Sequence, residues 1–256
     1  MLEDYRKSLS HLGTDVIDLY QAHCVNTLED YRKIMGKGGA YEALTELRSQ
    51  GRLRFVGITS HNLSLAKEAV ASGSFDTVQV LFNFLEPEAL DEVIPLALEK
   101  DVGVLAMKPF GGGCIERYDI ALRYVVATPG VIVIPGMATL DEVRSNVAVA
   151  SDPRPLSREE REVAKVARGT IGTRYCRRCD YCQPCPNDIP IAFMLHIPSI
   201  RKRIGDSMMK TNIYRDLLQK GRSCDDCGQC EERCPFNVPV RDLIKESRQI
   251  LSEVLD

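Results

Sequence analysis

Five short runs of apolar and β-branched residues, VIDLYQ (16–21), RFVGI (54–58), TVQVLF (77–82), VGVLAM (102–107) and VIVIP (131–135), alternate with amphipathic stretches up to about residue 150. Runs this apolar predict strands buried on both faces. The intervening stretches predict helices starting near Ala40, Ser64, Glu88, Glu116 and Thr139, and the 88–100 segment would place Leu90, Val93, Ile94, Ala97 and Leu98 on one face. Gly51 and Gly73 fall where helix ends call for a left-handed residue, and Thr139 with Glu142 and Ser157 with Glu160 have capping-box spacing. Strand and helix in strict alternation mean parallel pairing. The expected class is therefore α/β, with a sheet covered on both faces or rolled into a barrel.

The pattern changes at SDPRPL (151–156), where two prolines close the first half. Beyond it, a helix is expected over 157–168, helical periodicity recurs in Ile189–Ile197 and Ile213–Leu218, and a last helix covers Val240–Leu255. The expected domains are thus 1–156, α/β, and 157–256, small and mainly helical.

Cysteine usage sets this second part apart. Eight of the ten cysteines form two runs, Cys176, Cys179, Cys182, Cys185 and Cys224, Cys227, Cys230, Cys234, each ending in Cys-Pro. The second reads C-x2-C-x2-C-x3-C-P, the spacing of bacterial ferredoxin-type iron-sulfur ligation, in which the fourth thiolate serves the neighbouring cluster. In the first, only Gln183 and Pro184 separate the last pair. The reading is two [4Fe-4S] clusters, one on Cys176, Cys179, Cys182 and Cys234, the other on Cys224, Cys227, Cys230 and Cys185; a self-contained set in each run stays open. Structural zinc takes two ligand pairs set well apart, which fits four evenly spaced cysteines poorly. Disulfides fit less well, because Met1 leads directly into the charged LEDYRKSLSHL rather than a secretory signal, and a reducing, cytoplasmic setting is expected. The long segment between the runs favours a helical two-cluster module over the small β-rich ferredoxin.

Length and charge narrow the partners. At 256 residues with a formal net charge of −3, the chain has room for one large and one small domain, and no basic stripe suggests nucleic acid. No apolar run approaches a membrane span. Oligomeric state is not legible.

The polar residues of the first half fall at the carboxyl ends of the expected strands: His23; Thr59, Ser60 and His61; Asn83; Lys108; Gly136. In parallel α/β folds that rim carries the active site. Lys108 precedes Pro109, Phe110 and Gly111, Gly112 and Gly113, a strand-end turn able to offer amides and a positive charge to phosphate oxygens. A glycine triplet can equally serve positive φ alone. Cys24 and Cys114, outside both runs, are expected to be packed thiols.

SLSHLGTDVIDLYQAH, GRLRFVGITSHN, TVQVLFNFLEP, VGVLAMKPFGGG and VIVIPGMATLDEVRSN resemble, in order, the second part of an aldo/keto reductase barrel, and the cysteine tail resembles the branch of that family with a carboxyl-terminal ferredoxin-like domain. The resemblance implies a partial TIM (β/α)8 barrel whose strands are the fourth to the eighth. It implies a truncated gene model or a fragment of a longer enzyme. Of the family's Asp, Tyr, Lys and His set, only the His is matched, by His23; Tyr5, Tyr20, Tyr31 and Tyr41 lie outside the tyrosine's context. Also by resemblance, Thr59, Ser60 and Gln79 would hold the nicotinamide carboxamide, Lys108, Gly111 and Gly112 would lie near the pyrophosphate, and Gly136 and Asn146 would stand at the 2′-phosphate. The tyrosine that commonly stacks on nicotinamide is Met107, and Glu142 near a phosphate would be unfavourable for NADPH. NADH, NADPH or no dinucleotide stay open.

Two functions follow. One is hydride transfer between NAD(P)H and a small carbonyl-type substrate, with the clusters passing electrons, to a redox partner protein for example, or acting structurally. Hydride carries two electrons and a cluster takes one, so direct coupling needs a flavin or another splitter, and no flavin signature is present. The other is a non-catalytic electron-transfer or structural iron-sulfur module on a degenerate or truncated barrel.

Overall fold

The computed structural model describes residues 1–172 and 174–255. In chain order its elements are α1 (Leu2–Leu12), β1 (Ile17–Ala22), α2 (Leu28–Met35), α3 (Ala40–Ser49), β2 (Leu53–Thr59), α4 (Leu63–Ala71), β3 (Thr77–Leu81), α5 (Val93–Glu99), β4 (Gly103–Met107), α6 (Tyr118–Val126), β5 (Val131–Ile134) and α7 (Leu140–Ala150). The helices α8 (Arg158–Ile171), α9 (Ile191–Leu195), α10 (Ile197–Met209), α11 (Asn212–Arg222), α12 (Gln229–Glu232) and α13 (Val240–Leu255) follow. The chain divides into two compact units. One comprises Met1–Pro109 and Leu122–Arg154; the other comprises Phe110–Ala121 and the chain from Pro155 onward.

In the first unit the five strands pair in parallel in sequence order, β1-β2-β3-β4-β5. Every carboxyl end therefore lies at one rim of the sheet. The register aligns Ile58, Val78, Val104 and Val131 across four strands, and the first three are fully buried with Val56, Val80 and Ala106. Leu44 and Leu47 of α3, Ala66 and Val70 of α4 and Ile94 and Ala97 of α5 close the core. Gly57 meets Gln21 on one neighbour and Thr77 on the other; a Cβ there would come within 2.2 Å of Thr77 Oγ1. β1 and β5 are the sheet edges. β5 is covered poorly, with Ile132 65% exposed, and α7 buries no residue.

Both expected capping boxes form, and Gly51 and Gly73 take φ of 69° and 67°. The single helix expected over 88–100 does not. A 3-10 turn (Glu88–Leu90) precedes α5, leaving Val93, Ile94 and Ala97 buried but Leu90 and Leu98 exposed. Pro95 explains the break, since its ring and missing N–H fit the first turn of α5 but not the interior of a helix begun at Glu88. α8 runs on to Ile171, past the expected end at 168.

The second unit has its own core. Met194 and Leu195, Ile197 and Ile200, Leu217 and Leu218, and Leu243, Ile244, Leu251 and Val254 bring α9, α10, α11 and α13 together. Gly221 lets α11 approach closely: a Cβ there would lie 2.4 Å from Met194 Cε. Ser247, fully buried, donates its hydroxyl to the Met194 carbonyl at 2.7 Å.

Candidate functional site

Cysteine loops. The eight thiols of the two cysteine runs gather around two cavities. One is lined by Cys176, Cys179, Cys182 and Cys234, the other by Cys224, Cys227, Cys230 and Cys185, with Cys182 at its border; each has about 20 Å³ open to a water-sized sphere. Each thus joins three cysteines of one run to the fourth of the other. All are free thiols. Among the described residues, no group of three or more His, Cys, Asp or Glu is arranged to hold a metal ion.

The two loops repeat one backbone. Positive φ recurs just before the second cysteine (Arg178, 56°; Asp226, 60°), just after it (Asp180, 59°; Gly228, 80°) and three residues after the fourth (Asp188, 55°; Asn237, 50°). Asp, Asn and Gly enter this region most readily, and alternating left- and right-handed residues turn successive N–H groups toward an anion. Arg178 is the exception in type. Its guanidinium lies 2.9 Å from His196 Nε2 and donates to the Tyr175 hydroxyl at 3.0 Å, while His196 Nε2 lies 3.0 Å from the Cys176 carbonyl oxygen. Nothing in the spacing of the sequence singled out this buried histidine. Arg233 donates to the Pro184 carbonyl at 3.0 Å and so ties one run to the other.

Six of the eight cysteines are half-buried, seated against the apolar core; Cys179 and Cys227, the second of each run, are exposed. Burial pushes the Cys176 thiol up to about 11 and, with neighbouring acidic groups, the Cys182 thiol up to about 12. Charged thiolates there require a cation to compensate them.

Strand rim. Thr59 and Ser60 are buried, and their hydroxyls hold the rim together. Thr59 Oγ1 accepts the Cys24 N–H at 2.7 Å and Ser60 Oγ accepts the Asn62 N–H at 3.0 Å. Gln79 Oε1 accepts Gln21 Nε2 at 3.0 Å, and its Nε2 faces Met107 Sδ at 3.6 Å. Lys108, at φ 53°, places Nζ 3.0 Å from His61 Nε2. Asn83 Nδ2 donates to the Lys108 carbonyl at 3.1 Å, so the ends of β3 and β4 are joined. His23 is exposed, and among the described residues no hydrogen bond joins it to Thr59, Ser60, Gln79 or Lys108.

Gly111, Gly112 and Gly113 all have positive φ, in a 3-10 turn belonging to the second unit, where a Cβ on Gly113 would lie 3.7 Å from the Ser199 carbonyl oxygen of α10. Gly136 is exposed, with nothing within 4 Å of an added Cβ. Asn146, on α7, has its Nδ2 buried without a partner among the described residues. Glu142 is engaged in its capping box, its carboxylate accepting the Thr139 N–H at 3.2 Å. One expectation fails outright. Cys24 is not packed but exposed, its sulfur accepting Asn26 Nδ2 at 3.2 Å.

A parallel sheet with its polar residues at one rim is shared by many enzymes, and comparison with known proteins narrows the field. Residues 1–120 match the aldo/keto reductase family. Of the first unit, that match takes in Met1–Pro109. "Uncharacterized oxidoreductase YqkF" of Bacillus subtilis (strain 168) is 26% identical over 198 residues, 62% of this chain and 62% of its own. "NADH-specific methylglyoxal reductase" of Escherichia coli (strain K12) is 26% identical over 113 residues, 44% of this chain and 34% of its own. The solved structure of aldo-keto reductase AKR11C1 from Bacillus halodurans, holo form, superposes with a TM-score of 0.54 at 26% identity, covering 64% of this chain and 65% of that one. The chain thus spans less than two thirds of the length of these relatives. Among the described residues no helix is long and apolar enough to cross a membrane.

Proposed function

We propose that this chain is part of an iron-sulfur oxidoreductase of aldo/keto reductase type, with two [4Fe-4S] clusters in the helical unit and a nicotinamide-dependent carbonyl site on the strand rim. The observation that carries the cluster assignment is the grouping of the thiols, three from one run and one from the other around each cavity. Left-handed positions repeated in both loops support it, because they aim backbone N–H groups at sulfur, and so do the apolar seats of six cysteines, which exclude water. Cys179 and Cys227 each give one exposed corner, suited to electron exchange with a partner protein.

For the barrel site, a bound nicotinamide would supply hydride. The chain's own residues bind and orient. His23, at the end of β1, is the residue that would donate a hydrogen bond to the substrate carbonyl oxygen. Gln79, facing Met107, and the rim hydroxyls of Thr59 and Ser60 would fix the carboxamide face once released from their present partners. Lys108 would meet pyrophosphate only after leaving His61. Asn146 has an unspent donor for a phosphate oxygen, whereas Gly136 offers only its backbone. One relative named as an NADH-specific methylglyoxal reductase supports NADH and a small aldehyde as the first pair to try.

The test is aldehyde reduction by anaerobically purified protein supplied with NADH or NADPH. His23→Ala should lower turnover by roughly 10²-fold, and Cys227→Ser should remove one cluster's absorbance while leaving the other's. Unchanged turnover in His23→Ala would remove that histidine from the site; unchanged absorbance in Cys227→Ser would remove that thiol.

A further inference from the structure

The rim holds a second chemistry that hydride transfer does not use. Cys24, His61 and Lys108 come from the ends of β1, β2 and β4, and they form a line: Lys108 Nζ is 3.0 Å from His61 Nε2, and His61 Nδ1 is 3.9 Å from Cys24 Sγ. An ammonium can only donate, so Nε2 is the acceptor nitrogen of a neutral ring and Nδ1 carries the hydrogen that faces the sulfur. Asn26 supplies a second donor, Nδ2, at 3.2 Å from the same sulfur. Its amide orientation is fixed, since Oδ1 accepts the His61 backbone N–H at 2.8 Å. Two N–H groups and, behind one of them, a cation are therefore aimed at one exposed thiol.

The backbone holds this arrangement at a cost. Cys24 and Lys108 both sit at positive φ, 60° and 53°, where residues with a Cβ are disfavoured. The turn at Cys24 is pinned by its own N–H to Thr59 Oγ1 at 2.7 Å and by the Val25 N–H to the Thr59 carbonyl at 2.9 Å.

The geometry points to Cys24 as a nucleophile toward small aldehydes, with His61 and Lys108 as its proton relay. The thiolate form of Cys24, its proton released to solvent, forms a C–S bond to the carbonyl carbon as the C=O π bond breaks. The carbonyl oxygen takes the hydrogen from Nδ1 while Lys108 passes a proton to Nε2, and the neutral amine left on Lys108 regains a proton from solvent. A thiohemiacetal results, reversibly, with atoms and electrons balanced and no oxidant or reductant consumed. The inference requires neither nicotinamide nor clusters, so its failure and that of the reductase reading are separate events.

The test is alkylation of the anaerobic full chain by iodoacetamide at neutral pH, read on the tryptic peptide 8–32, whose only cysteine is Cys24. Modification is expected to slow at least tenfold in His61→Ala and in Lys108→Met, with unchanged circular dichroism; Asn26→Ala, threefold or more, serves if either fails to fold. Propionaldehyde should protect Cys24 reversibly, and [1-13C]propionaldehyde should give a new carbon resonance that Cys24→Ala abolishes. Equal alkylation rates in wild type and the folded variants would overturn the relay. Absence of both protection and the resonance would overturn the carbonyl chemistry.

Discussion

At the scale of single residues, the account turns on groups whose neighbours leave them little choice. Gly57 sits between Gln21 and Thr77 in the middle of three strands, and an added methyl would meet the threonine hydroxyl at 2.2 Å and Gln21 Cγ at 2.9 Å. Both neighbours are held in strands, so Gly57→Ala should cost about 1–3 kcal/mol of overpacking, measured by urea unfolding; a loss below about 0.5 kcal/mol would show that the strands can part there. Legibility in the sequence varies among residues for physical reasons. His23 and Lys108 could be assigned to the rim because strand ends follow from apolar runs. The side-chain partner of Lys108 could not, because its contact with His61 depends on parallel register between segments 47 positions apart. Cys24 looked like a small packed hydrophobe, but the positive φ that turns it outward is a tertiary property. Glu142 could be drawn as a phosphate neighbour or as a cap, and the helix end claims it.

At the scale of elements, all five strands were legible, whereas the helices α1, α2 and α12 were not. α2 contains only Leu28, Tyr31, Ile34 and Met35 as apolar contacts in a charged stretch, and its Thr27 cap, which accepts the Asp30 N–H at 3.1 Å, is a local signal easily passed over. The cysteine loops were legible as spacing, since two-residue gaps turn the chain back on itself. Their exchange of fourth thiols was only one of two arrangements that spacing allows. The shorter first run closes with Gln183 Oε1 accepting the Cys185 N–H at 2.7 Å. A combined variant separates the arrangements. With Cys176, Cys179 and Cys182 all replaced by Ser, a single cluster should remain; adding Cys185→Ser should abolish it, and adding Cys234→Ser should leave it intact. The opposite pattern in the charge-transfer absorbance would establish self-contained sets.

At the scale of the whole molecule, the described residues form two cores. The α/β unit, much of which matches the aldo/keto reductase family, has a parallel strand order that follows from alternating apolar runs. Its division from the helical unit does not follow chain order, because Phe110–Ala121, with the glycine turn, belongs to the helical unit. Composition shifts mark the boundary near residue 154 but carry no trace of that excursion, in which Ile115 and Ile120 are buried. The helical unit's core leaves half-buried thiols along its edge, an arrangement that suits an inorganic centre compensating their charge. The most direct measurement of that claim is iron and acid-labile sulfide per chain in anaerobically purified protein. The account predicts about eight of each, as two [4Fe-4S] clusters require. Stoichiometric zinc, or protein that is folded yet free of iron and sulfide, would contradict it.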